Sequence, residues 1–257
     1  MALVTGLIYF VWRASKKTVP SSTTTQSVPY PLVINQQILY PALNTNNNTI
    51  YFYTNQSPNA GLYKLDLKTN VVSDINKDMN EINNIFWSPD FSKAILEVVY
   101  NPTKTIKYGN ISLNNIPEGK KIYLTYNLQE NKFYQLTDKI FTIAWLDNNK
   151  MIYNYFDQNN NDSQLCSADY TGQNWQILSK LEYPLDNLLG YKDYIIYFLA
   201  ASRGESEEGG EDLLKFDLNT KSISQVVFSV GGQAILLKDK GMILYSKTQN
   251  NQETTYI

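Results

Sequence analysis

Apolar residues in this chain come in short runs separated by polar clusters, and several runs alternate with period two, which predicts strands rather than helices. One unit recurs five times: a strand, a tight polar turn, then a more apolar strand. The copies are Ala42–Tyr53, Trp87–Val98, Trp145–Tyr155, Leu189–Phe198 and Leu237–Ser246. Taking Ile50, Ile95, Ile152, Ile195 and Ile243 as equivalent gives spacings of 45, 57, 43 and 48 residues. A period of about 40–50 residues holding several strands is that of propeller blades.

A second element runs in phase with the first. Alternating apolar positions lead into a short polar turn at Leu62–Asn70, Ile122–Asn131, Leu165–Gly172 and Leu213–Thr220. Each is a hairpin signature. Two elements in register predict four-stranded antiparallel blades, four complete and a fifth either partial or closed by an N-terminal strand.

These residues carry a resemblance. Trp87-Ser88-Pro89-Asp90, followed by an apolar strand, resembles the WSPDG turn of TolB-like and WD-repeat-like β-propellers, and the hairpin at Tyr63 resembles the third strand of the same blades. The resemblance spans about residues 40–257 and is complete only in the second blade; Phe91 stands where the family has glycine. The resemblance implies an all-β propeller in which Pro89 presets the turn and Asp90 bonds to nearby backbone amides, a structural role.

Composition narrows the chemistry. Twenty Tyr and ten Phe suit pleated, half-buried surfaces. A net charge of −2 argues against a nucleic-acid partner. The chain has no His, which removes the commonest general base and metal ligand. Its one cysteine, Cys166, lies in a strand-like run and reads as a small buried apolar side chain. No cofactor and no metal site are expected.

Residues 1–17 open with the uncharged run Ala2–Trp12, followed by Arg13, Lys16 and Lys17. Spanning a bilayer takes about 20 apolar residues, so this segment is expected to be the C-terminal part of a membrane anchor, with a buried strand as the alternative. Residues 18–31 are rich in Ser, Thr and Pro and predict an extended stalk, leaving 32–257 for the propeller. Leu32–Ile34 is a candidate outer strand for the last blade; alternatively the ring is a fragment, with its fifth repeat ending at Ile257 where a third strand is due to begin.

Two insertions depart from the repeat: the polar stretch Asn101–Gly119 and the acidic stretch Ser202–Asp212, with Glu205, Glu207, Glu208, Glu211 and Asp212. The acidic cluster lacks the alternating spacing of a calcium loop and reads as solvated loop. Glu97, inside the apolar run Ala94–Val99, is the carboxylate of most interest for glycosidase chemistry, which needs two such groups.

The sequence therefore predicts a membrane-anchored, extracytoplasmic propeller that binds a protein, peptide or glycan on its faces and catalyses nothing. The membrane is met only through the N-terminal segment. The alternatives are a glycosidase-like propeller using channel carboxylates, and the substrate-gating propeller of a prolyl-oligopeptidase-like peptidase without its catalytic domain.

Overall fold

The computed structural model describes residues 37–257 except 57, 78, 80, 102–107, 110, 112, 114–115, 202–210, 231–232, 238–239 and 250–251. The expected anchor, the stalk and the Leu32–Ile34 strand lie outside the described residues. Among those described, no helix is long and apolar enough to cross a membrane.

The described chain is all β, with nineteen strands in five antiparallel sheets. The first sheet holds β1 (Leu39–Asn44), β2 (Thr49–Thr54), β3 (Gly61–Asp66) and β4 (Val71–Asn76). The second holds β5 (Ile82–Trp87), β6 (Lys93–Val99), β7 (Lys121–Asn127) and β8 (Lys132–Gln135). The third holds β9 (Ile140–Trp145), β10 (Lys150–Asp157), β11 (Asp162–Asp169) and β12 (Gln176–Leu181). The fourth holds β13 (Asn187–Lys192), β14 (Ile195–Ala201), β15 (Glu211–Asp217) and β16 (Ser222–Val230). The fifth has three strands, β17 (Ala234–Leu237), β18 (Met242–Gln249) and β19 (Gln252–Tyr256). The third strand of the fifth repeat is thus already in place by Gln252, earlier than the sequence suggests. Within each sheet the strands lie side by side in chain order, and the first strands of successive sheets touch. This is a five-bladed β-propeller.

Four apolar cores sit between successive blades. Tyr53 and Leu62 of blade 1 pack with Ile85, Leu96 and Leu124 of blade 2. Ile95 and Tyr123 of blade 2 meet Ile143, Met151 and Cys166 of blade 3. Ile152 and Leu165 of blade 3 meet Ile196, Phe198 and Phe216 of blade 4. Leu199, Leu213 and Val230 of blade 4 pack with Ala234, Ile243 and Tyr245 of the fifth. The second strands of blades 2, 3 and 4 are covered on both faces, which explains why these strands read as near-continuous apolar runs.

Register corrects the sequence alignment. Thr49, Lys93, Lys150 and Ile195 pair with Asp66, Asn127, Asp169 and Asp217, the residues that end each third strand. Ile50 is therefore equivalent to Ala94, Met151 and Ile196, while Ile95 and Ile152 stand one residue further on and Ile195 one residue before. The true spacings are 44 (49 to 93), 57 (93 to 150) and 45 (150 to 195). A slip of one residue moves a side chain to the other sheet face. Ala94 accordingly faces blade 1, and Ile95 faces blade 3.

The hairpins after the third strands of blades 1, 2 and 4 share one device. The side-chain oxygen of Asp66 accepts from the Lys68 and Thr69 amides, that of Asn127 from Gln129 and Glu130, and that of Asp217 from Asn219 and Thr220. Four residues on, Asn70, Asn131 and Lys221 take positive φ. An Asx turn closed by a left-handed residue ends each strand and starts the next.

The described residues of the 101–119 insertion are less solvated than its composition suggests. Tyr108 is fully buried in the first inter-blade core with Leu113, and Ile111 and Ile116 pack against that core. Tyr108 also meets the Phe133 ring edge-on at 5.8 Å. Scattered apolar residues without a period were invisible as a pattern, but together they plug the gap between blades 1 and 2.

Blade 2 shows what replaces the missing glycine. Phe91 sits at φ +60°, a conformation costing a bulky residue about 1–3 kcal/mol. Its ring stacks on Tyr51 at 5.4 Å and Trp87 at 5.9 Å, tying the turn to blade 1. Aromatic pairs of this kind contribute about 0.5–1.5 kcal/mol each beyond burial, enough to offset the strain. Phe91→Ala and Phe91→Gly are both expected to unfold at lower urea concentration than the native chain. Glycine, relieved of the strain, should be the milder by about 1 kcal/mol; alanine as stable as glycine would show that the turn is not strained.

Candidate functional site

The sequence-predicted carboxylates have structural positions. Asp90 accepts from Ser88 Oγ at 2.7 Å and from the Ser92 amide at 3.0 Å, closing its turn. Burial pushes its carboxyl up, but these hydrogen bonds outweigh that and hold it below the usual range. Glu97 lies on β6, a second strand, where it accepts from Tyr123 Oη at 3.1 Å and pairs with Lys121 at 3.4 Å. Glu205, Glu207 and Glu208 lie outside the described residues. Glu211 and Asp212 are not loop residues: they open β15, and Asp212 is buried. The five innermost strands, β1, β5, β9, β13 and β17, contain no Asp or Glu. Around their channel a pocket of 340 Å³ is walled by apolar groups such as Phe86, Trp145, Leu188 and Ile235.

Cys166 is buried between blades 2 and 3. Burial, with a smaller push from Asp162, raises its thiol to about 11. Only the thiolate is an effective nucleophile, so this cysteine packs rather than reacts.

Polar and aromatic side chains gather in a groove of 470 Å³ between blades 2 and 3. Two departures from the repeat open it. The hairpin after the third strand has four residues in blades 1, 2 and 4 (67–70, 128–131, 218–221) but six in blade 3 (170–175). The longer hairpin turns at Gly172, φ +80°, and carries Trp175 out, 59% exposed. The outer strand of blade 2, β8, is meanwhile only four residues long, against six for β12. It leaves the outer part of the facing sheet uncovered, where Tyr153, Tyr155 and Gln164 line the groove.

The walls are held firmly. Thr125 Oγ1 donates to the Tyr170 carbonyl at 2.5 Å, and the Tyr170 ring meets Tyr134 edge-on at 5.5 Å. The Asp169 amide donates to the Gln173 carbonyl at 2.9 Å across the long hairpin. On the floor, Gln164 Nε2 donates to Asp162 Oδ2, while Cys166 Sγ lies 3.9 Å from Gln164 Oε1 and fixes the amide weakly from below. Burial raises the Tyr153 hydroxyl to about 12, so it stays protonated beneath the groove. Lys139, beside the groove, is committed to Asp157 at 2.7 Å. None of Trp175, Gln164 and Asp162 stands out in the sequence; a two-residue-longer turn ending in a tryptophan was the available signal.

A scan of protein families finds no match to this sequence, and a search of curated proteins finds none. Solved structures do match. TolB from Acinetobacter baumannii shares 14% identity at a TM-score of 0.51, over 86% of this chain and 51% of that one. The fold is that of a TolB-like β-propeller. An acylaminoacyl peptidase from Pyrococcus horikoshii matches at 11% identity and TM-score 0.61, over 85% of this chain and 36% of the peptidase. An oligogalacturonate lyase in complex with manganese matches at 11% and 0.57, over 84% and 61%. The chain thus spans about half the length of the TolB and less of the peptidase. Likeness at this identity establishes the fold of the propeller and leaves its partners to the site.

Two measurements check the chemistry of the buried groups. In the native propeller, Cys166 is expected to react with a thiol-specific disulfide reagent at pH 8 far more slowly than after unfolding. Equal rates would place the thiol at the surface. At blade 4, Asp186 and Glu211 are both raised, first by burial, and for Glu211 also by the Asp186 charge. Glu211 Oε2 is buried without a hydrogen-bond partner. A carboxyl raised in the folded state favours folding below its unfolded pKa and loses that contribution as pH rises through the folded value. Glu211→Gln is therefore expected to melt higher than the native chain at pH 7, with the gain shrinking toward pH 4; a lower Tm at pH 7 would contradict this.

Proposed function

We propose that this chain is a non-enzymatic binding propeller that holds a protein, peptide or glycan partner. The observation that carries the reading is the groove between blades 2 and 3. A solvent-facing tryptophan, two tyrosines and a pinned amide converge there on a rigid scaffold. Binding sites of this kind combine an exposed aromatic with a few fixed polar groups. The carboxylates in reach of a hydrolytic reading, Glu97 and Asp90, are engaged in the propeller's own turns and strand pairs. The apolar run Ala2–Trp12 and the Ser/Thr/Pro-rich residues 18–31 support a chain tethered to a membrane and displayed outside the cytoplasm.

A substrate-gating role beside a peptidase domain is the second reading, favoured by the overlay on the acylaminoacyl peptidase propeller.

Screening the full chain against immobilised peptides and glycans should yield a ligand whose affinity falls about 30-fold or more in Trp175→Ala, the scale of a tryptophan hot spot. The unfolding midpoint should stay unchanged. Turnover of the bound ligand, or binding indifferent to Trp175, would overturn the reading.

A further inference from the structure

Resting on that binding reading, we propose that the groove between blades 2 and 3 takes a neutral oligosaccharide, stacked on Trp175 and hydrogen-bonded by Gln164 and Asp162. A pyranose ring has a face of C–H groups that packs on an indole and a rim of hydroxyls that donate and accept. Trp175 supplies the flat surface at one wall of the groove.

Asp162 and Gln164 stand two residues apart on β11 and so project from the same sheet face. Their mutual hydrogen bond uses one carboxylate oxygen and one amide hydrogen. It leaves the second Gln164 N–H as a donor and Asp162 Oδ1 as an acceptor, side by side. A pair of neighbouring sugar hydroxyls needs that combination, one accepting while the other donates. Gln135, from β8, and Thr171, in the same hairpin as Trp175, add amide and hydroxyl groups to the lining.

Charge narrows the class. Asp162 is the one ionisable carboxylate among the lining residues, and no Lys or Arg is among them. Of the nearby cations, Lys139 is paired with Asp157, and Lys180 stands opposite Gln164 across the β11–β12 ladder without lining the groove. Among the lining residues, acidic sugars, phosphates and nucleic acids would meet a negative group and no counter-charge. A peptide would find the face of the blade 3 sheet, where the backbone groups of β10 and β11 are already paired in the ladder. The volume of 470 Å³ falls in the range of about 300–1,000 Å³ for small-molecule clefts and suits a short oligosaccharide.

The test titrates the full chain with cellotetraose, maltotetraose and chitotetraose, following tryptophan fluorescence and calorimetry. Tetragalacturonate and a hydrophobic octapeptide serve as controls. At least one neutral tetrasaccharide is expected to bind, with affinity down at least about tenfold in Trp175→Ala and in Gln164→Leu, and kept within a few-fold in Trp175→Phe. Trp175 is exposed, so its replacement leaves the fold intact, and unfolding midpoints check Gln164→Leu. Binding of tetragalacturonate as tight as that of the neutral sugars overturns the inference. So does neutral-sugar binding unchanged by both variants. Trp175-dependent binding of the peptide with none of the sugars overturns the inference but keeps the binding reading. No Trp175-dependent ligand of either kind, here and in the wider screen, overturns both.

Discussion

Every blade of this protein depends on its neighbour. A four-stranded sheet with apolar residues on both faces is insoluble by itself, and here the second strands of blades 2, 3 and 4 hide one face against the preceding blade and the other against the next. Leu96 and Ile95, adjacent in β6, are both fully buried, yet they belong to different cores. Removing about 25 cal/mol per Å² of apolar surface from water favours this stacking, and nothing else in the fold acts over so much area. Turns, insertions and grooves are adjustments to it.

The adjustments that strengthen the stack are local and polar. Asn154, buried in β10, donates to Ser163 Oγ and accepts from the Leu185 amide, so the chain entering blade 4 is pinned to blade 3. Trp145 Nε1 donates to the Phe86 carbonyl across the blade 2–3 interface at 2.8 Å. The Leu188 amide donates to Thr142 Oγ1 across the next at 3.1 Å. Unmet polar groups would cost more than these bonds contribute, so they fix the angle between blades as much as its strength.

The groove beside Trp175 arises where the stack is incomplete. A short β8 withdraws cover from blade 3, and a longer hairpin then lines the vacancy with a tryptophan. Propellers commonly vary their loops on a rigid frame, and loops so placed are where recognition is found. The chemistry gathered there (aromatic faces, fixed amides, one carboxylate) favours a ligand with hydroxyls and no charge.

By itself the sequence determined the all-β class, the repeat of about 45 residues, the pairing of second and third strands, and the turn role of Asp90. Period-two alternation and Asx-type turns are local properties, and they survive weak similarity between blades. The sequence did not determine register: Ile50 and Ile95 look equivalent because both faces of the second strand are apolar, and a pattern apolar on both faces carries no phase. Only tertiary packing assigned Ala94 to one core and Ile95 to the next. It also brought Tyr108, Ile111 and Leu113, scattered in a polar stretch of sequence, into the core between blades 1 and 2. Trp175 and Gln164 were ordinary letters until two neighbouring blades, one with its outer strand two residues shorter, stood side by side. Local periodicity writes the strands, but the partner of each face is written in the neighbouring sheet.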